Sequence, residues 1–154
     1  MPKIVASRDI ACPPERLWDL MSTVRLRSHW DLSVRSFCRH GAEGDIANTR
    51  LHYQAPLLGS ISWRWEGIYV TYDRPARSVV KMISGSWCRP FKRLAGSWVM
   101  RQAASGAQLD LIVQFESRIP LATRFMVRRI DRMLNQSLER LDRLVLDVEG
   151  SDGQ

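Results

Sequence analysis

ISWRWEGIYVTY, residues 61–72, and RPFKRLAGSW, residues 89–98, are the two stretches from which the rest of the chain can be read. On a strand, successive side chains point to opposite faces, so Ile61, Trp63, Trp65, Gly67, Tyr69 and Thr71 share one face, and Ser62, Arg64, Glu66, Ile68 and Val70 share the other. Two indoles at alternating positions with a phenol beyond them form a broad apolar wall ending in a hydroxyl, the usual make-up of a small-molecule cavity. Plain core packing makes the same demand on aromatic residues, so the pattern alone does not separate the two.

Working outward, strand patterns occur at about 33–40, 48–56, 60–72, 77–85, 92–103 and 107–117, with Gly, Pro or Asp at each break. Six consecutive strands predict an antiparallel meander. Leu94, Gly96, Trp98 and Met100 share a face, as do Leu109, Leu111, Val113 and Phe115, while Arg93, Arg101, Asp110, Gln114 and Glu116 lie opposite. Such a sheet has one apolar side that another element must cover. The cover is the C-terminal run that Pro120 opens, with Leu121, Phe125, Ile130, Leu134, Leu138, Leu141, Val145 and Val148 at helical spacing. Upstream, Lys3 to Ala11 reads as a further strand. Pro13 and Pro14 stop it, and Leu17, Trp18 and Met21 stripe a short amphipathic helix. Residues 22–32 form a connector or second short helix carrying Trp30, and Gly41 and Gly44 mark a hairpin-like break.

The 154 residues, 45% of them hydrophobic, predict one domain over residues 1–148, with 149–154 as a flexible tail. No apolar run of signal-peptide or membrane-spanning length occurs, which predicts a cytoplasmic protein. Cys12, Cys38 and Cys88 are odd in number and far apart, predicting buried free thiols rather than disulfides or zinc ligands. His29, His40 and His52 lack metal-ligand spacing, and HExxH, P-loop, GxGxxG and GxSxG motifs are absent, so no metal or nucleotide cofactor is expected. A net charge of +7 is unevenly spread: Arg118, Arg124, Arg128, Arg129 and Arg132 are opposed over that stretch only by Asp131. This stretch would attract an anionic partner, whether an acidic carrier protein, a membrane surface or RNA, or else be an ordinary solvated face.

The order of elements, an α+β arrangement of about seven curved antiparallel strands around a long C-terminal helix with two short helices after the first strand, resembles the helix-grip fold of the START-like (SRPBCC) superfamily. ACPPERLWDLM at 11–21 is similar to that family's opening. RPFKRLAGSW at 89–98 resembles the "GPF, variable, W" element of bacterial polyketide aromatase/cyclases and coenzyme Q-binding proteins, with Arg89 where glycine is usual. SGAQLDLIVQFE at 105–116 and the final helix continue the likeness, so it spans nearly the whole chain.

The resemblance implies a deep cavity between sheet and helix, lined here by Trp30, Trp63, Trp65, Phe91, Leu94 and Trp98. In aromatase/cyclases such a cavity folds a poly-β-ketone, delivered by an acyl carrier protein, for aldol closure and dehydration. Methylenes between two carbonyls are already acidic, so the protein need only hold one conformer and set a donor on a carbonyl. Tyr69 is the first candidate for that donor, being a proton donor at neutral pH; Tyr53 and Lys81 are second choices. Several such cyclases carry an arginine where an ungapped count from Trp63 places Tyr69, and Arg64 has the opposite parity, so enolate stabilisation must come from elsewhere, from Lys81, Arg77 or backbone groups, or else the protein binds without converting. Arg124, Arg128 and Arg132 are the candidate docking residues for an acidic carrier protein. The alternative is a non-catalytic binder of a quinone or other hydrophobic lipid, with those arginines facing a membrane surface. A ribosome-associated interaction protein ranks last: six tryptophans speak for a pocket, and no RNP-like signature suggests nucleic acid. Monomer and homodimer both fit the sequence.

Overall fold

Local patterning resolves into seven strands and three helices in a computed structural model, which describes residues 1–41 and 44–152. The strands are β1 (Lys3–Ile10), β2 (Ser36–His40), β3 (Arg50–Leu58), β4 (Ile61–Asp73), β5 (Arg77–Gly85), β6 (Phe91–Ala103) and β7 (Gly106–Ser117). The helices are α1 (Pro14–Ser22), α2 (Arg27–Trp30) and α3 (Thr123–Asp152), with single 3-10 turns at Val24–Leu26, Ile46–Asn48 and Pro120–Ala122. One antiparallel sheet runs in the order β1-β7-β6-β5-β4-β3-β2, so β2 to β7 form the expected meander and β1 closes back beside β7. This is the helix-grip arrangement, with α3 gripped by the sheet.

The two central strands show how the sequence sets the inner face. Leu94, Gly96, Trp98 and Met100 of β6 stand directly opposite Phe115, Val113, Leu111 and Leu109 of β7, so both apolar series share one face of the sheet. Against it, α3 buries Ile130, Leu134, Leu138, Leu141 and Val145. At about 1.5 Å per residue its 30 residues span about 45 Å. Arg8 of β1 reaches Asp142 of α3 at 2.9 Å, an exposed ion pair worth at most about 1 kcal/mol; the apolar contact carries the packing. Pro14 at the first turn starts α1, which plugs one end of the core with Leu17, Trp18 and Met21.

Several expectations need correction. Leu121 and Phe125 continue the apolar periodicity on paper, but both are exposed, Leu121 at 98%. The five-residue step from Phe125 to Ile130 breaks phase with the buried stripe, and Leu121 precedes the helix proper. Residues 149–152, assigned to the tail, continue α3, while 153 and 154 lie outside the described residues. The strand expected from residue 33 begins at Ser36. Asp31 diverts the chain first, because its Oδ1 accepts hydrogen bonds from the Ser33 N–H and hydroxyl. Cys12 is buried as expected, but Cys38 is exposed on the short edge strand β2.

Two bulges shape the β4–β5 pair, as the register slips between Glu66 and Gly67 and again between Tyr69 and Thr71. The second inserts Val70 as an extra, outward residue, so Tyr72 takes the inward place that simple alternation gives to Thr71. Glycine is required where backbones crowd. Gly106, at φ +140°, would place a Cβ 2.5 Å from the Cys12 nitrogen, whereas a Cβ on Gly96 would meet nothing within 4 Å. Gly106→Ala is therefore expected to lose about 2 kcal/mol or more, lowering Tm by about 5 °C, while Gly96→Ala stays within about 1 kcal/mol of wild type. Thermal unfolding of the two variants followed by circular dichroism checks the contrast.

Candidate functional site

A cavity of about 320 Å³ lies between the concave face of the sheet and the helices, within the range of small-molecule sites. Trp30, Trp63, Trp65, Phe91, Leu94 and Trp98 all line it, as do Tyr53 and Tyr69. Lys81 does not. Ser78 and Val80 are the β5 residues on its wall, and Lys81 is exposed one position out of phase. Val79 and Val80 are consecutive, so alternation alone could not phase this strand, and a catalytic place for Lys81 is withdrawn.

The rings of the wall, continued into the core by Phe115 and Trp18, form two runs. One passes from Phe37 to Tyr53, which stacks on Trp65 with centroids 4.0 Å apart, then to Trp63, Phe91 and Phe115. The other passes from Tyr69 to Tyr72, Trp18, Trp98 and Trp30 at centroid spacings of 5.0 to 5.9 Å. The Trp18 indole N–H donates to the Tyr72 hydroxyl at 3.4 Å, which gives that inward phenol a fixed partner.

The two runs meet at a cation that sequence reading missed. The Arg27 guanidinium lies 5.1 and 5.8 Å from the Phe37 and Tyr53 centroids and 5.4 and 4.8 Å from those of Trp30 and Trp98. Rings on several sides satisfy it through their quadrupoles, and Asp31 Oδ2 accepts from its Nε at 2.7 Å. Both partners are nearly buried, with side-chain exposures of 12% and 9%. Burial works to depress the Arg27 pKa, but Asp31, with the Tyr53 and Tyr69 phenols, more than reverses this and raises it, so the group is permanently charged. The sequence did hold a signal: Arg27 and Asp31 are four apart, ion-pair spacing on a helix, and flank Trp30. Among the described residues, the Trp30 indole nitrogen is buried without a hydrogen-bond partner.

The phenols are kept protonated. Burial pushes Tyr53 up to about 12, against the opposing pull of Arg27. Tyr69 is also raised by burial, opposed by Arg39, whose Nη2 lies 3.4 Å from its hydroxyl. Both are donors, and neither is a base, at neutral pH. On the helix side, Arg129 lines the cavity and donates to the Leu57 carbonyl at 2.6 Å, tying α3 to the end of β3.

The wall meets solvent where its members are exposed, at Ile119, Phe125 and Arg39. Around the first two, Leu121 and Trp87 are also exposed, Trp87 at 87%. Arg118 binds this rim together, donating to the Trp87 and Arg89 carbonyls at 2.7 and 3.2 Å. Arg124, Arg128 and Arg132 are exposed on α3, outside the cavity wall.

Two outcomes follow from this geometry. Asp31→Ala should cost about 3–5 kcal/mol by leaving a buried guanidinium uncompensated, read by urea denaturation. Tyr53 gives a pH signature. It ionises near pH 10 in the unfolded chain but at about 12 in the folded one, so its stabilising contribution is complete below pH 10 and lost as pH rises towards 12. Over that window wild type should lose about 2 to 3 kcal/mol more stability than Tyr53→Phe.

Comparison with known proteins agrees with this architecture. The family described as "Polyketide cyclase / dehydrase and lipid transport" matches residues 1–145. Among solved structures, TTHA0849 from Thermus thermophilus is 24% identical with a TM-score of 0.78, over 96% of this chain and 99% of that one. A START superfamily protein from Mycobacterium smegmatis is 11% identical with a TM-score of 0.79, over 95% and 98%. Major latex-like protein 151 from Panax ginseng is also 11% identical, with a TM-score of 0.69 over 92% and 95%. No curated protein sequence matches the chain. With its match extending from the first strand almost to the end of the gripped helix, the chain belongs to the polyketide cyclase/dehydrase and lipid-transport family of the START-like superfamily.

Proposed function

We propose that the protein binds a ring-bearing hydrophobic small molecule in the cavity between sheet and α3, and that the polar groups of the wall handle its carbonyl or enol oxygens. The observation that carries this reading is the wall itself: aromatic rings line about 320 Å³, with the Tyr53 phenol and the Arg27 guanidinium where the two runs meet and the Tyr69 phenol at the far end of one of them. Flat, rigid ligands match such walls through stacking and edge contacts. Gly96 supplies the control, because it lines the cavity and has open space before it. Native mass spectrometry of protein purified gently from its own host should reveal a co-purifying aromatic or isoprenoid molecule. Gly96→Leu should reduce that occupancy by tenfold or more while leaving Tm within a few degrees. Equal occupancy in the two proteins would place the molecule elsewhere.

A second reading, catalysis of polyketide cyclisation, is favoured by the protonated phenols. Closure of a poly-β-ketone passes through an enolate, and a phenol that stays protonated at neutral pH can donate a hydrogen bond to that oxygen. Tyr69→Phe should then slow cyclisation of a synthetic poly-β-ketone thioester by about 10- to 100-fold with little change in ligand affinity. An unchanged rate would remove Tyr69 from the reaction.

The rim suits an anionic membrane surface as the place of ligand exchange, since bulky apolar side chains at Trp87, Ile119, Leu121 and Phe125 stand beside Arg118, Arg124 and Arg128. Sedimentation with phosphatidylserine vesicles should weaken both on charge reversal at Arg124 and Arg128 and on Leu121→Asp. If only charge reversal matters, and binding is to an acidic carrier protein instead, the membrane assignment fails.

A further inference from the structure

Arg27 is placed and held as a binding group. Its Nε is committed to Asp31, and both oxygens of Asp31 are engaged, with Oδ2 on Arg27 and Oδ1 accepting from the Ser33 N–H at 3.0 Å and hydroxyl at 2.5 Å. A ligand anion therefore does not compete with Asp31 for Nε, nor can Asp31 swing away without abandoning Ser33. Besides Asp31, the polar group that Arg27 acts on by hydrogen bonding is the Tyr53 phenol, and the side chain lines the cavity. In the ring stacked against this guanidinium, the Trp30 indole N–H is a buried donor without an acceptor among the described residues. An unmatched donor in an apolar wall is costly unless a ligand supplies an acceptor.

Charge around the cavity points the same way. Its ionised lining groups are Arg27, Arg39 and Arg129 against Asp31 alone, an excess of cation inside an otherwise aromatic enclosure. Arg129 donates to the Leu57 carbonyl on the helix side and Arg39, exposed at the mouth, donates to Tyr69, so Arg27 is the nearly buried planar cation at the junction of the two ring runs.

We propose that Arg27, fixed by Asp31 and boxed by Trp30, Phe37, Tyr53 and Trp98, anchors an oxyanion on an otherwise apolar aromatic ligand: a carboxylate, an enolate or an acidic phenolate. The ligand's ring body lies along the indole and phenol walls, and its charged oxygens accept from the guanidinium amino groups. This rests on the cavity reading above and adds the ligand's charge and orientation. It also supplies, from α2 rather than from a strand, a cation within reach of the space the aromatic wall encloses.

The test uses the neutral dye N-phenyl-1-naphthylamine as a fluorescent cavity reporter, with two competitors of near-equal size, 2-naphthoate and 2-naphthalenemethanol. Wild type should be displaced by 2-naphthoate at a concentration about tenfold or more below that needed for the alcohol. Arg27→Gln, titrated with the dye to the same fractional saturation as wild type, should lose that difference. Equal displacement in wild type, or a preference that survives in Arg27→Gln, overturns the anchor. If Arg27→Gln fails to retain the dye, the double variant Arg27→Met with Asp31→Leu takes its place, removing both buried charges together. A clear loss of preference there supports the anchor and a full preference overturns it. Failure of wild type to take up the dye would instead sink the cavity reading, and the anchor with it.

Discussion

A guanidinium buried among aromatic rings constrains everything around it. Moving a charge out of water costs several kcal/mol even after relaxation, so Arg27 is tolerable only because Asp31 holds its Nε and four rings approach it within 6 Å. Asp31 must in turn be held, and the turn through Ser33 does this. Leu32, between them, donates its N–H to the buried Ser137 hydroxyl of α3 at 3.0 Å, fastening the segment after α2 to the gripped helix. One short stretch, 27–33, thus joins the sheet's aromatic wall to the helix that covers it.

The sheet meets this demand through irregularity as much as through regular alternation. Without the bulge at Val70, Tyr72 would face outward, and Trp18 would lose the hydroxyl that accepts its indole N–H. Gly67, between the two wall positions Trp65 and Tyr69, has Val80 and Trp65 so close that a Cβ would sit 2.8 and 3.0 Å from them. The missing side chain there lets the rings and Val80 pack against the strand rather than above it.

Much of the fold was legible because its signals are local and periodic. Trp63, Trp65 and Tyr69 on β4, and the paired series on β6 and β7, follow strict alternation, and the buried stripe from Ile130 to Val145 follows helical spacing. What escaped reading depended on contacts that alternation cannot encode. Lys81 was misphased because apolar residues occupy both faces of β5, and Tyr72 because one inserted residue reverses parity. Arg27 opens the one-turn helix α2 and Asp31 follows it, a segment whose four-residue spacing hints at an ion pair but is too short for an apolar period to phase. Their role emerges only when the fold brings Phe37, Tyr53 and Trp98 around them, three side chains from three separate strands.

The strand order leaves β1 and β2 at the two open margins of the sheet. An open margin is a row of backbone donors and acceptors, ready to pair with another chain and to seed aggregates. Here one margin exposes Lys3, Ser7, Arg8 and Asp9, and the other is only five residues long and exposes Arg39 and His40. Charge on one side and brevity on the other discourage strand addition, so a sheet curved enough to wall a cavity need not close into a barrel to keep its edges from pairing with a neighbour.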